Sequence, residues 1–296
     1  MRGCARLRIA AVLILSASLS AAPRAQQQPF RAETRAVSVY ATVTAPDGTI
    51  VTGLTAQDFD VRDNGVKQRI LAFANDPQPI SVAVLLDNSP SLFAAANRAE
   101  GTVMQFARLL RQGDVACLGT FGHVVTLVPE LTGDPTVLIK HLGDDAPFPA
   151  GTALWDAIDA GRSALSGVSG RRVVLVVTDG ADNCSRSNID EVRAALVRDD
   201  VMVYAIGLRG REGLDGRDMD GIARATGGMY YELKPTDDIG AVMRRVAEEL
   251  HQQYVLGFAP ATLDDKLHRI DVKMLRPGLS VRARKSYVAS TQAAVR

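Results

Sequence analysis

Apolar and polar positions form three successive patterns along the chain. From residue 34 to 75, apolar residues such as Val37 and Val39 alternate with polar ones in short runs, which is typical of half-buried β-strands. From 78 to 253, near-continuous apolar runs alternate with stretches of helical periodicity. Short alternating runs return from 254 to 288. The pattern therefore predicts a central α/β region between two β segments.

The central region predicts an α/β fold with a doubly wound, mostly parallel sheet and helices on both faces. One run, 124–128, follows Thr120 too closely for a crossover helix, so we predict an antiparallel edge strand there. The predicted strands cover 81–86, 115–120, 124–128, 172–177, 201–206 and 228–232, and the predicted helices cover 94–111, 135–142, 153–165, 189–198, 219–225 and 237–252.

The two flanking β segments are predicted to pair as one small β-sandwich-like unit. Isolated hairpins are marginally stable in water, and neither 34–75 nor 254–288 alone offers enough apolar strand surface. The central region, 78–253, would then be an insertion whose own ends lie close together. Residues 289–296 are predicted to be a disordered tail.

The first 25 residues have the features of a secretory signal peptide. A basic start with Arg2, Arg6 and Arg8 precedes an apolar stretch and small residues suited to cleavage. The apolar stretch is shorter than the ~20 residues of a typical transmembrane helix, and an uncleaved membrane anchor is the alternative. We expect the protein to be exported to the periplasm or the extracellular space.

Charge and cysteine content narrow the possible partners. Removal of residues 1–25 takes away four arginines and no acidic residue, so the formal charge changes from +1 to about −3. A near-balanced charge without a basic stripe argues against nucleic acid as a partner.

Cys117 and Cys184 remain after removal of residues 1–25, and Cys117 is predicted to be a small buried residue. An exported compartment permits a disulfide but does not require one.

Candidate chemistry lies at the carboxyl ends of the predicted parallel strands, where such sheets bind ligands. Asp87, Ser89 and Ser91 directly follow one apolar run, Asp179 ends another, and Thr152 follows a glycine before a predicted helix. All five side chains offer hard oxygen donors. Such donors suit Mg²⁺, Ca²⁺ or Mn²⁺ rather than zinc or copper.

The Asp87-x-Ser89-x-Ser91 box, followed by Thr152 and then Asp179, resembles the metal-ion-dependent adhesion site of von Willebrand factor type A domains. The resemblance implies that the three hydroxyls supply oxygen ligands, and that both carboxylates bind directly or through water. Mg²⁺ is the expected ion, with Mn²⁺ and Ca²⁺ as alternatives. The implied partner is a protein that offers an Asp or Glu carboxylate to the metal.

The flanking segments resemble a bacterial group within this class, the VWFA-related proteins first described in Acidobacteria. The matching phrases are residues 51–59, 254–258 and 281–284, together with Tyr287. The resemblance covers almost the whole chain after the leader.

Three functions compete for the candidate residues. The first is non-enzymatic adhesion through the metal site. The second is a metal-independent structural or assembly scaffold of the cell envelope, because Pro90 replaces the commoner Gly of the box and its fixed φ would bend the loop. The third is a metal-dependent hydrolase, for which a general base beside the metal ligands is missing from the sequence pattern.

No H-E-x-x-H, G-x-S-x-G, phosphate-loop or dinucleotide-binding motif occurs in the sequence. We therefore predict no catalytic residues, no enzymatic activity and no small-molecule cofactor, and we leave the oligomeric state open. Asp182 and Asn183, close after Asp179, are expected in a solvated loop. Trp155 is expected to pack in the core.

Overall fold

The chain folds as alternating strands and helices between two sets of terminal strands. The computed structural model describes residues 36–88, 101, 104–141, 151–179, 182–208, 216–234 and 236–291. The strands are β1 (Val37–Thr44), β2 (Phe59–Asp63), β3 (Val66–Gln68), β4 (Ala72–Ala74), β5 (Ile80–Asp87), β6 (Val115–Phe121), β7 (Val125–Thr132), β8 (Arg171–Thr178), β9 (Val201–Leu208), β10 (Tyr230–Leu233), β11 (Tyr254–Phe258), β12 (Leu267–Met274), β13 (Ser280–Ala283) and β14 (Ser286–Val288). The helices are α1, described over residues 104–109, α2 (Pro135–Lys140), α3 (Leu154–Ala164), α4 (Ile189–Arg198), α5 (Arg217–Thr226) and α6 (Ile239–Gln252), and a 3-10 helix covers Ala56–Asp58.

A six-stranded sheet forms the middle of the fold, in the order β10–β9–β8–β5–β6–β7. Neighbouring strands from β10 to β6 are parallel, whereas β7 runs antiparallel to β6. The β6–β7 turn is closed by the Gly122 amide, which donates to the Val124 carbonyl at 3.1 Å. This arrangement confirms the predicted antiparallel edge strand.

Helices cover both faces of the six-stranded sheet. Because successive strand residues point to opposite faces, Val84 and Leu86 of β5 pack with α1, α2 and α6. Leu85 points the other way and packs with α3, α4 and α5, where Trp155 is buried beside Ile158. The predicted doubly wound fold and the core position of Trp155 are therefore confirmed.

The terminal strands pair with each other and form two four-stranded antiparallel sheets, in the orders β13–β1–β11–β4 and β14–β12–β2–β3. Val37 of β1 pairs with Phe258 of β11, and Val61 of β2 pairs with Val272 of β12. Inward residues of both sheets, such as Val39, share one apolar core. The predicted sandwich-like unit, made from both ends of the chain, is confirmed.

The C-terminal contacts extend past residue 288, where the predicted tail was to begin. Ala289 is buried, and the Thr291 amide donates to Asp265 Oδ1 at 2.8 Å. The predicted signal peptide, residues 1–25, and residues 292–296 lie outside the described residues. Within the described part of the chain, no helix is long and apolar enough to cross a membrane.

A group of polar side chains that are buried or, for Arg282, partly buried joins the sandwich to the six-stranded sheet and is here called the junction cluster. It consists of Thr42, Tyr204, Glu249 and Arg282. Glu249 is only 3% exposed, and its carboxylate accepts hydrogen bonds from the Tyr204 hydroxyl, the Arg282 guanidinium and, at 3.1 Å, Thr42 Oγ1. Arg282 also donates to the Gly227 carbonyl at 2.9 Å. The buried charge is therefore paired and hydrogen-bonded, as an interior carboxylate must be.

Candidate functional site

Two strand ends bring Asp87 and Asp179 to the same edge of the six-stranded sheet. β5 and β8 are parallel neighbours in which Leu86 pairs with Val177, so the next residues, Asp87 and Thr178, lie side by side. Thr178 Oγ1 donates to Asp87 Oδ2 at 2.5 Å. Asp87 is 4% exposed, and Asp179, the residue after Thr178, is 8% exposed. Both predicted carboxylate ligands are thus buried at the carboxyl edge of the sheet.

Thr152 approaches this edge in the segment that leads into α3. Its amide donates to Asn183 Oδ1 at 2.8 Å, and its carbonyl accepts from the Asn183 amide at 3.1 Å. The Ala153 amide donates to the carbonyl of Gly122, in the turn that follows β6. Thr152 is therefore fixed between the β6–β7 turn and the loop after β8, which begins with Asp179.

Gly151 has a backbone conformation that few residues other than glycine adopt. Its φ is +115°, in the region that favours glycine. A Cβ at this position would stand 3.0 Å from Cys184 Sγ and 3.3 Å from His123 Nδ1. The close approach of these side chains thus explains why glycine precedes Thr152.

The loop after β8 also caps α3, a role that the sequence interpretation missed. Ala153, the N-cap residue, makes no side-chain cap bond. Instead, Asp182 Oδ1 accepts from the Leu154 amide at 2.9 Å, and Ser185 Oγ accepts from the Trp155 amide at 2.9 Å. These bonds satisfy amides that a helix start leaves unpaired.

Asp182 and Asn183 lie in a loop, as expected, with Asn183 exposed and Asp182 half-buried, but the expectation missed the bonds that both side chains make to the start of α3 and to Thr152. Asp and Asn are typical capping residues, but here Asp182 caps a helix that begins 28 positions before it, and Asn183 accepts the Thr152 amide just before that helix. Sequence proximity gives no signal for such a contact, because it depends on the packing of two separate loops.

Contacts between the two loops are reciprocal. The Asp156 carboxylate, in the first turn of α3, accepts the amides of Arg186 and Ser187 at 3.0 and 2.8 Å. Partial burial would raise the pKa of Asp156, but these hydrogen bonds outweigh burial and lower it. The carboxylate is thus ionised near neutral pH, which suits its role as an acceptor.

The two cysteines of the described chain are free thiols. Cys117 is fully buried in β6, as predicted, and burial raises its pKa to about 11. Cys184 lies beside Gly151, and burial followed by the charges of Asp182 and Asp156 raises its pKa. Both side chains are thus protonated thiols near neutral pH.

The donor set at the sheet edge is composed of oxygen atoms. Asp87 ends β5, Asp179 follows β8, and Thr152 is bonded to the loop after β8, whereas Ser89 and Ser91 lie outside the described residues. Among the described residues, no group of three His, Cys, Asp or Glu side chains is placed to hold a metal. A metal at this edge would therefore need hydroxyl ligands as well as the two carboxylates. Two buried carboxylates and a hydroxyl fit a hard divalent cation.

Two of the buried histidines belong to other parts of the fold. His251 Nε2 lies 2.7 Å from Asp114 Oδ2, and Asp114 directly precedes β6, at the opposite end of the sheet from Asp87. His268, in the sandwich, lies between Asp63 and Asp264. These contacts account for His251 and His268 in structural terms.

A family model identifies the class of protein that this fold and this edge define. The model of the von Willebrand factor type A domain matches residues 81–245, more than half of the chain, and the chain therefore belongs to this family. The match covers the six-stranded sheet from β5 to α6. No curated protein of significant similarity was found.

Solved structures share the fold at low sequence identity. A von Willebrand factor type A protein from Catenulispora acidiphila aligns with 89% of this chain and 78% of its own, with 10% identity and a TM-score of 0.53. Proximal thread matrix protein 1 from the mussel byssus, in a structure with a zinc-occupied MIDAS motif, aligns with 64% of this chain and 50% of its own, with 16% identity and a TM-score of 0.53. At such identities the likeness shows a common fold alone.

Proposed function

We propose that this chain is an exported, non-enzymatic binding protein that recognises a protein partner through a divalent metal at the carboxyl edge of its central sheet. Domains of this family often mediate protein–protein adhesion through such sites. The observation that carries the proposal is the convergence of buried Asp87, buried Asp179 and Thr152 at one edge. Ser89 and Ser91 are the proposed remaining ligands.

The residues of the chain support Mg²⁺ as the first candidate ion. Two carboxylates balance the charge of one divalent cation, and hydroxyl oxygens suit Mg²⁺, which keeps part of its hydration shell. The bound ion would offer an open coordination position to an Asp or Glu carboxylate of the partner. The zinc-occupied MIDAS motif of the mussel protein makes zinc a necessary comparison, beside Mn²⁺ and Ca²⁺.

The test is metal binding by the native protein and by two ligand variants. At a metal concentration of 100 Kd, binding stabilises a folded protein by about 2.7 kcal/mol. For a chain of this size, that corresponds to a rise in Tm of about 5–10 °C. Asp87→Ala and Asp179→Ala should abolish both this rise and the calorimetric heat of binding.

Asp190→Ala is the matched control, because Asp190 is an exposed carboxylate in the first turn of α4 that pairs only with Arg193 across one helical turn in the described contacts. This variant should bind metal like the native protein. Absence of heat and of stabilisation with Mg²⁺, Mn²⁺, Ca²⁺ and Zn²⁺ in the native protein would remove the basis of the proposal.

A metal-independent scaffold is the second candidate, and the Thr178–Asp87 hydrogen bond favours it. This bond gives the buried Asp87 carboxylate a donor within the protein. Partner capture from an envelope extract, in Mg²⁺ or in chelator, separates the two functions. Capture that is lost with chelator and with Asp87→Ala supports metal-dependent adhesion, whereas capture that survives both supports the scaffold.

A further inference from the structure

The end of β8 and residues 182–187 of the loop after it contact the segments that carry Asp87 and Thr152. Thr178, immediately before this loop, donates to Asp87 at the end of β5. Asn183 exchanges two hydrogen bonds with Thr152, and Asp182 caps the amide two residues further on. One stretch of chain thus holds ligand-bearing segments that are distant from each other in the sequence.

We propose that Asn183 is a positioning residue that sets the place of the Thr152 hydroxyl relative to Asp179, with Asp182 as its support. The inference rests on the proposed metal site and adds a residue that the adhesion-site pattern does not contain. Asn183 acts through the backbone of Thr152, and none of its described bonds uses the Thr152 hydroxyl. The bonds to Asn183 therefore leave the Thr152 hydroxyl unused.

The geometry around Thr152 explains why the Asn183 side chain matters for the position of Thr152. The Thr152 amide and carbonyl are both bonded to Asn183, and the next amide, of Ala153, is bonded to the Gly122 carbonyl. Gly151, on the other side, has a φ of +115°, a conformation that glycine adopts more readily than other residues. Loss of Asn183 Oδ1 would leave the Thr152 amide without this acceptor, while the Thr152 carbonyl keeps its bond to the Asn183 amide.

Asn188 provides a matched control within the same connection. Its Oδ1 accepts a backbone amide, that of Asp190, at 2.8 Å, the same distance as in the Asn183–Thr152 bond. It caps α4 and belongs to no ligand-bearing segment. Comparison of alanine variants at Asn183 and Asn188 therefore separates the general loss of stability caused by removing such a bond from the specific effect on Thr152.

The experiment measures Mg²⁺ affinity by calorimetry and hydrogen exchange of the Thr152 amide in the metal-free protein. Asn183→Ala should raise the Kd for Mg²⁺ by about 10–100-fold, the range typical of groups that orient metal ligands. It should also accelerate exchange of the Thr152 amide. Asn188→Ala should change neither quantity, although both variants should lower Tm.

Asn183→Asp tests whether the acceptor atom is responsible. Aspartate keeps an oxygen at the position of Oδ1, so exchange of the Thr152 amide should return to the native rate. The Kd of Asn183→Asp for Mg²⁺ should be lower than that of Asn183→Ala and should equal the native value or lie below it. Measurement at high salt reduces the contribution of the added charge. A Kd as weak as that of Asn183→Ala would overturn the positioning role.

Asp182 keeps the inference testable if Asn183→Ala does not fold. Asp182→Asn and Asp182→Ala both remove the charge, but only the first keeps an acceptor for the Leu154 amide. Asp182→Ala should therefore bind Mg²⁺ about 10-fold more weakly than Asp182→Asn. Equal affinities would contradict the supporting role.

The results distinguish a failure of this inference from a failure of the proposed function. A native protein that binds no divalent metal overturns the metal site itself. Native-like Mg²⁺ affinity in folded Asn183→Ala overturns the positioning role and leaves the metal site standing.

Discussion

Replacement of Glu249 by alanine should destabilise the protein strongly without touching the candidate metal site. Glu249 is the acceptor at the centre of the junction cluster, with a side-chain exposure of 3%. Removing one partner of a fully buried ion pair costs about 3–5 kcal/mol, because the other charge remains without compensation. Here the remaining charge is the Arg282 guanidinium.

Two features of Arg282 place the expected loss toward the lower end of that range. Its side chain is 22% exposed, so water can solvate part of the released charge, and it keeps its bond to the Gly227 carbonyl. The buried Tyr204 hydroxyl also loses its carboxylate acceptor. We therefore expect a loss of about 3–4 kcal/mol in the free energy of unfolding. Tm should fall by about 6–16 °C at 2–4 °C per kcal/mol.

The assay is denaturant and thermal unfolding of Glu249→Ala beside two reference variants. Glu248→Ala removes the neighbouring carboxylate, which is exposed and accepts only Gln252 among the described contacts, so its effect should stay within about 0.5 kcal/mol. The double variant Glu249→Met with Arg282→Met removes both charges and should recover much of the loss. The outcome that would contradict this expectation is a free energy of unfolding of Glu249→Ala within about 1 kcal/mol of the native value, roughly one third of the smallest loss expected for a buried pair. The junction cluster would then not be a stabilising ion pair.

Two further predictions concern pH and domain structure. Burial raises the pKa of Tyr204, and burial with the Glu249 charge raises the pKa of Tyr231 to about 12. The contribution of these two phenols to the free energy of unfolding should therefore be fully present below about pH 10, the pKa of an unfolded tyrosine, and should be lost as the pH approaches 12. In an ultraviolet titration these phenols should ionise later in the native than in the unfolded protein, and identical curves would contradict the assignment. A fragment of residues 78–253 should fold by itself, because both cores of the six-stranded sheet lie almost entirely within it. Its Tm should nevertheless be lower, since Tyr40 and the junction contacts are lost, and a molten circular dichroism spectrum would show that the sandwich is required.

The sequence pattern was sufficient for the fold because each strand carries its own signal. Near-continuous apolar runs such as β8 indicate burial on both sides, and the short interval before β7 excludes a crossover helix. The pairing of the terminal strands followed from the lack of apolar surface in either segment. Each of these signals lies within one segment of the chain and does not depend on contacts between distant segments.

The contacts that the sequence did not predict join segments far apart in the chain. Glu249 lies on a helix whose sequence shows no reason to bury a carboxylate, and its partners Thr42 and Arg282 come from the distant strands β1 and β13. Asn183 and Asp182 have the composition of an ordinary polar loop, yet they fix Thr152 and α3. In both cases the polar residue is explained by a partner that periodicity and spacing do not indicate.

The pairing of β1 has a consequence for the order in which the protein can acquire its structure. Both neighbours of β1, the strands β11 and β13, come from the last part of the chain. During synthesis, β1 therefore has neither of these partner strands until the entire von Willebrand factor A domain has been synthesised. Non-local pairing of this kind is slow, and an unpaired strand edge is prone to aggregate. A nascent or truncated chain that lacks residues 254–296, and with them β11 to β14, is thus the form most in need of protection by chaperones.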